Sequence, residues 1–214
     1  MGFPATTYSN ATTALSALMN KAGAQGLSAA VSDGPDATVH AVLANMLDGL
    51  PGGTMAAGAG ITGAGTVYKT TVVREGDLIV TKILMDLTDL TSGGTAGDII
   101  GGAAGTANSH IGQVTAAVNG TIQAVSMVCL ELPAGGDTDI DLYSATVGTG
   151  AEDVAISTLV ETQIINGGTQ AAGTVSGCVA VPAADEYLYL VGQGTSNAAY
   201  TAGKLLITLY GTPA

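Results

Sequence analysis

The sequence predicts an all-β chain, an antiparallel β-sandwich of jelly-roll type, and three observations predict it. After Val67, segments rich in β-branched residues recur with turn residues at intervals of about ten, and no long helical pattern separates them. Within Leu130–Ser144 (L-E-L-P-A-G-G-D-T-D-I-D-L-Y-S) an apolar run meets a Pro-Ala-Gly-Gly turn, and then residues alternate strictly. The third observation is compositional. Hydrophobic residues reach 47%, but the chain has one Phe and no Trp alongside 32 Gly, a mix that fills thin sheets better than a helical bundle.

The N-terminal part reads differently. Thr12–Ala22 places Leu15, Leu18, Met19 and Ala22 at helical spacing, with Gly23 as a stop. A second helix is expected over Asp36–Asp48. Its residues Val39, Val42, Leu43, Met46 and Leu47 form one apolar stripe, Pro35 and Asp36 suit its start, and Gly49 and Pro51 end it. A helix of that length is marginal alone in water, so the stripe is the candidate contact surface, for the chain's own core or for a partner. Pro51–Thr66 is almost purely small residues and reads as a flexible linker. No Gly-Lys-Ser/Thr follows its glycines, so it lacks the phosphate-loop pattern. Residues 1–66 are therefore expected to form an arm, and residues 67–214 the sandwich.

Within the sandwich, Val67–Arg74 and Leu78–Leu87 flank the turn Glu75-Gly76-Asp77, and Asp98–Gly101 is a short edge piece. His110–Val118 and Thr121–Leu132 are joined by Asn119-Gly120, a strong hairpin signal. Thr138–Ser144, Val154–Ile165, Gly173–Val181, Glu186–Val191 and Lys204–Tyr210 complete the strands. In Thr138–Ser144, Ile140 and Leu142 should face the core, and Asp139 and Asp141 the solvent, with Asp137 on the acidic side.

Charge narrows the partners. Seventeen acids against five bases give a net charge of −12, which leaves no basic patch for nucleic-acid phosphates and disfavours anionic membranes. No leader-like apolar segment opens the chain, and the charge-free span from Ile99 to Leu130 is interrupted by polar residues and glycines. Cys129 and Cys178 each lie in an apolar run and are expected as buried free thiols, which fits synthesis in a reducing cytoplasm.

Asp137-x-Asp139-x-Asp141 opens like a calcium loop, but Leu142 stands where that loop needs Gly and Gly148 where it needs Glu. Glu152 and Asp153 from a nearby loop could complete an oxygen cage; the alternative is a solvated face or strand-end hydrogen bonding. His40 and His110 with two apolar cysteines make a weak transition-metal set. Ser109 beside His110, with Asp98 or Asp137 to orient it, lacks any nucleophile-elbow motif. Paired carboxylates for glycoside hydrolysis stay open, although the aromatic platforms that sugar sites use are scarce. No cofactor, metal or catalytic residue is assigned.

G-D-L-I-V-T-K-I-L-M-D-L-T-D-L, T-A-G-D-I-I-G, S-H-I-G-Q-V, the Leu130–Ser144 stretch and Y-T-A-G-K-L-L-I-T-L-Y-G together resemble a family of virion structural proteins of tailed bacteriophages, especially marine ones. That family is taken to be head decoration, or cement, proteins. The resemblance runs from about Val67 to Gly211 and carries over no catalytic residue. It implies a β-sandwich assembling on a capsid surface, in contact with the major capsid protein and as a homo-oligomer, a trimer. The alternative is a carbohydrate- or receptor-binding module of a virion fibre or cell surface, and a hydrolase is the third class.

Overall fold

The structure, a computed structural model, describes residues 54–213. In chain order these form a helical turn α1 (Ala59–Thr62), then β1 (Tyr68–Glu75), β2 (Leu78–Asp86), β3 (Leu90–Thr91), β4 (Asp98–Ile99), β5 (Gly101–Gly102) and β6 (Gly112–Gln113). A second helical turn, α2 (Ala116–Asn119), precedes β7 (Thr121–Ala134) and β8 (Ile140–Ala145). A 3-10 turn (Ile156–Thr158), β9 (Glu161–Ile165), β10 (Val175–Gly177), β11 (Tyr187–Gly192) and β12 (Ala202–Thr212) follow.

Ten of the strands make two antiparallel sheets, and β3 pairs with β5 in a separate two-stranded ribbon. The first has the order β1-β2-β12-β7-β10; the second has β4-β11-β8-β9, with β6 also pairing β11. The fold is all-β and sandwich-like, as the sequence predicts. Period-two alternation builds the interior. Ile83 and Met85 of β2, Leu205, Ile207 and Leu209 of β12, and Val125, Met127 and Cys129 of β7 share one core with Ile140 and Leu142 of β8 and Leu188 and Leu190 of β11. The alternation in β7 slips between Ile122 and Val125, where the pairing with β12 shifts register at Tyr210/Gly211.

A smaller core lies on the other face of the second sheet, where Tyr189 and Val191 pack with Ile99, Ala145 and Ile156. Strand β11 is thus buried on both faces, which is why Tyr187–Val191 carries large side chains without alternation. The Gly135-Gly136 turn does not close a hairpin. β7 pairs with β12 and β10, whereas β8 pairs with β11 and β9, so the turn carries the chain from one sheet to the other.

Three sequence expectations need correction. Asn119-Gly120 joins no hairpin. Thr115 caps α2 through a bond from the Val118 amide, and Gly120 follows at φ 69 as its C-cap. The Asn119 side chain is buried, accepting from the Thr115 amide and donating to Thr81 Oγ1. A Cβ on Gly120 would stand 2.2 Å from the Thr212 carbonyl oxygen. Asn-Gly suits a helix end as well as a tight hairpin, and here tertiary contact selects the helix end.

Residues 54–66 are not a loose linker. Met55 and Ile61 are buried in the main core. The Gly58 amide donates to the His110 carbonyl at 2.9 Å, and the Gly60 amide to that of Asn108 at 3.1 Å. Met55 O accepts from Thr70 Oγ1 at 2.8 Å. The glycines serve close approach rather than flexibility: a Cβ on Gly58 would lie 2.0 Å from Asn108 O. The boundary expected at residue 66 therefore falls inside a packed segment. Finally, Val154–Ile165 and Gly173–Val181 are less extended than expected, containing only β9 with its preceding 3-10 turn and the three-residue β10.

Candidate functional site

The acidic stretch after the Gly-Gly turn is built into the fold rather than displayed. Ile140 and Leu142 are fully buried, as alternation requires, but Asp137 and Asp141 are only 4% and 3% exposed. The solvent-facing expectation fails for Asp141 because loops distant in sequence fold over this end of the sheet. The Asp137 carboxylate accepts from the Gly194 amide at 3.1 Å and the Ser196 amide at 3.0 Å. Its own amide donates to Ser92 Oγ, whose hydroxyl in turn donates to Ser196 O. The Asp141 carboxylate accepts from Gln163 Nε2 and the Gly167 amide, both at 2.8 Å. Each buried charge is thus met by N–H dipoles. Asp139, half-buried, has its carboxyl pushed up by burial first and then by the charges of Asp141 and Asp137.

Glu152 and Asp153 do not join this stretch. Glu152 is buried and accepts from the Gly105 amide at 2.7 Å. Asp153, at φ 60, accepts from the Gly94 amide at 3.0 Å. Asp98 accepts from the Thr95 amide at 2.9 Å. All three hold loops at one end of the second sheet. Among the described residues no group of three or more His, Cys, Asp or Glu is arranged to hold a metal ion.

Ser109 and His110 are adjacent in sequence but engaged apart. Ser109 Oγ donates to the Thr106 carbonyl at 2.8 Å. The His110 ring meets the Tyr187 ring edge-on at 4.9 Å, and burial holds its pKa below the ordinary value. Cys129 is buried and Cys178 half-buried, and neither forms a disulfide. His40 and the stripe Val39, Val42, Leu43, Met46 and Leu47 lie outside the described residues.

What the sequence reading missed is the outer face of the first sheet. Cross-strand pairing sets Lys69, Leu84, Leu206, Val128 and Val175 in one row across all five strands. Val175 is 67% exposed, and Leu130 and Leu132 on the same strand as Val128 are 49% and 51% exposed. Lys204 ties the neighbouring strands together, bonding the Glu131 carboxylate and lying 3.5 Å from Asp86 Oδ2. The sequence signal was present: M-V-C-L-E-L and K-L-L-I-T-L-Y are apolar at both parities, so both faces of β7 and β12 carry hydrophobic side chains. Along that row Leu84, Leu206 and Val128 are half-buried, and Lys69 and Val175 at its ends are exposed.

No protein-family model, curated protein or solved structure matches the chain. Among the described residues no helix is long and apolar enough to cross a membrane.

Proposed function

We propose that this chain is a non-enzymatic virion structural protein that decorates and stabilises a bacteriophage capsid surface as a homo-oligomer, a trimer, bound to the major capsid protein. The observation that carries the reading is the outer face of the first sheet, where half-buried Leu84, Leu206 and Val128 lead to exposed Val175 at the β10 edge, with exposed Leu130 and Leu132 further along β7. It offers area for a protein contact. The buried carboxylates, by contrast, are occupied in holding loops. The strand order also supports it. β2-β12-β7-β10 in one sheet and β4-β11-β8-β9 in the other are compatible with an eight-stranded jelly roll, an architecture used by viral capsid and lectin domains. Because one fold hosts many functions, the order supports the class and leaves the role to the surface.

Quantitative mass spectrometry of purified particles tests the proposal. A copy number comparable to that of the major capsid protein is expected. Tens of copies would instead favour a receptor-binding module of a fibre, and absence from particles would overturn the virion reading.

A further inference from the structure

Strand β1 is the edge of the first sheet. All eight of its residues pair with β2 on one side, and among the described residues no strand pairs with its other side. The opposite edge, β10, has three residues, and at the ends of the second sheet β4 has two and β9 five. Such a long regular edge presents a row of main-chain donors and acceptors to another strand. We propose that β1 pairs antiparallel with β1 of a second copy across a two-fold axis, joining two sheets edge to edge.

The register follows from side-chain chemistry. Slipping an antiparallel pair by one residue turns its faces over, so only registers that keep odd residues opposite odd residues preserve the sandwich. On β1 the odd residues Lys69, Thr71, Val73 and Glu75 share the face of half-buried Leu84 and exposed Lys82, whereas Val72 is fully buried inward. Setting Val72 opposite its own copy places Lys69 of each chain directly opposite Glu75 of the other. Both residues are exposed. Two-fold symmetry makes this ion pair twice, and opposite charges directly across an antiparallel pair are favourable. The same register sets Thr71 against Val73 and uses the strand from Lys69 to Glu75. Shifting the centre to Thr71 sets Lys69 against Val73. Shifting it to Val73 sets Glu75 against Thr71 and moves Lys69 opposite Asp77, which lies in the turn beyond β1. Only the Val72-centred register matches the two charges within the strand.

This two-fold contact is a second one, separate from the three-fold contact of the capsid reading, and its test is made on the purified full chain. Sedimentation equilibrium should give self-association that weakens about ten-fold or more in Lys69→Glu and in Glu75→Lys, since each creates like charges opposite one another. The double swap K69E/E75K should return it to within about two-fold of the parent, because the pair is rebuilt with its sign reversed. Far-UV circular dichroism and the melting point should match the parent in all three. A second variant, K69C/E75C, should form on mild oxidation an intermolecular disulfide linking position 69 of one chain to position 75 of the other. Single swaps that associate like the parent, or a double swap as weak as the singles, would overturn the proposal. So would the lack of any 69–75 cross-link. None of these results bears on particle copy number, so the two proposals fail separately.

Discussion

The hydroxyl of Tyr200 donates to the backbone carbonyl of Asp137 at 2.9 Å, with both residues buried. This bond and the two amide bonds to the Asp137 carboxylate fasten the segment from Gly194 to Tyr200 onto the turn that carries the chain between sheets. A Cβ on Gly136 would stand 2.6 Å from the Tyr200 ring, so the second turn glycine is also explained by that ring.

Asp137→Asn should therefore be costly despite its near-identical shape. The amide keeps one acceptor but turns an NH2 toward the other backbone N–H, and bonds to a charged acceptor are worth about 1.5–3 kcal/mol each. A loss of about 2–3 kcal/mol in urea unfolding is expected. Tyr200→Phe, which leaves the Asp137 carbonyl without that donor, should cost about 1–3 kcal/mol. A change under about 0.5 kcal/mol in both would show that the loop is held by something else.

Chelation should leave the melting temperature unchanged. The oxygens that a cation would need at Asp137 and Asp141 already accept from Gly194, Ser196, Gln163 and Gly167. A ligand bound only to the native state raises stability by mass action, so a fall on adding chelator that calcium reverses would contradict this assignment.

Local pattern made much of the sandwich legible. The strands expected at Val67–Arg74 and Leu78–Leu87 form the β1–β2 hairpin within a residue at each end because β-branched residues flank a Gly turn, and Ile140 and Leu142 are inward as expected because alternation is a local property. The fate of Asp137 was not legible, since its partners lie at Gly194 and Ser196, far along the chain. Nor was α2, because Asn119-Gly120 serves a hairpin or a helix end equally and the buried bond to Thr81 decides between them. Small residues from Pro51 to Thr66 look alike whether they are flexible or closely packed. Only the proximity of Asn108 and Ser109 to Gly58 and Gly60 separates the two.

Glu152 gives a pH signature. Burial is the main cause that raises its carboxyl pKa, opposed by the Gly105 amide and reinforced by the charges of Asp153 and Asp98. A carboxyl with a raised folded-state pKa favours the native state most below the ordinary value of 4.5, and that contribution is lost as pH rises through the folded value. Glu152→Gln keeps an acceptor for Gly105 and removes the buried charge. Relative to the parent, the variant should gain stability as pH rises from about 4 towards 7. Urea midpoints measured across that range check it; a difference independent of pH would mean Glu152 titrates normally.

Ile61 tests whether the small-residue segment belongs to the domain. It is fully buried in the main core with Met55, and the Gly58 and Gly60 amides fix the backbone on either side. A flexible linker would tolerate almost any change there, and surface substitutions away from packed features usually stay within about 0.5 kcal/mol. Ile61→Ala should instead cost about 2–5 kcal/mol, the range for emptying a buried aliphatic site. Gly58→Ala should be damaging for a different reason. Its Cβ would stand 2.0 Å from the Asn108 carbonyl oxygen and 2.8 Å from His110 Nε2, so the segment must lift or the 107–110 loop must give way. Urea unfolding of both variants, followed by far-UV circular dichroism, reads the effect. Two variants as stable as the parent would return residues 54–66 to the arm; two destabilised ones make the sandwich begin before β1, with Met55 and Ile61 as part of its core.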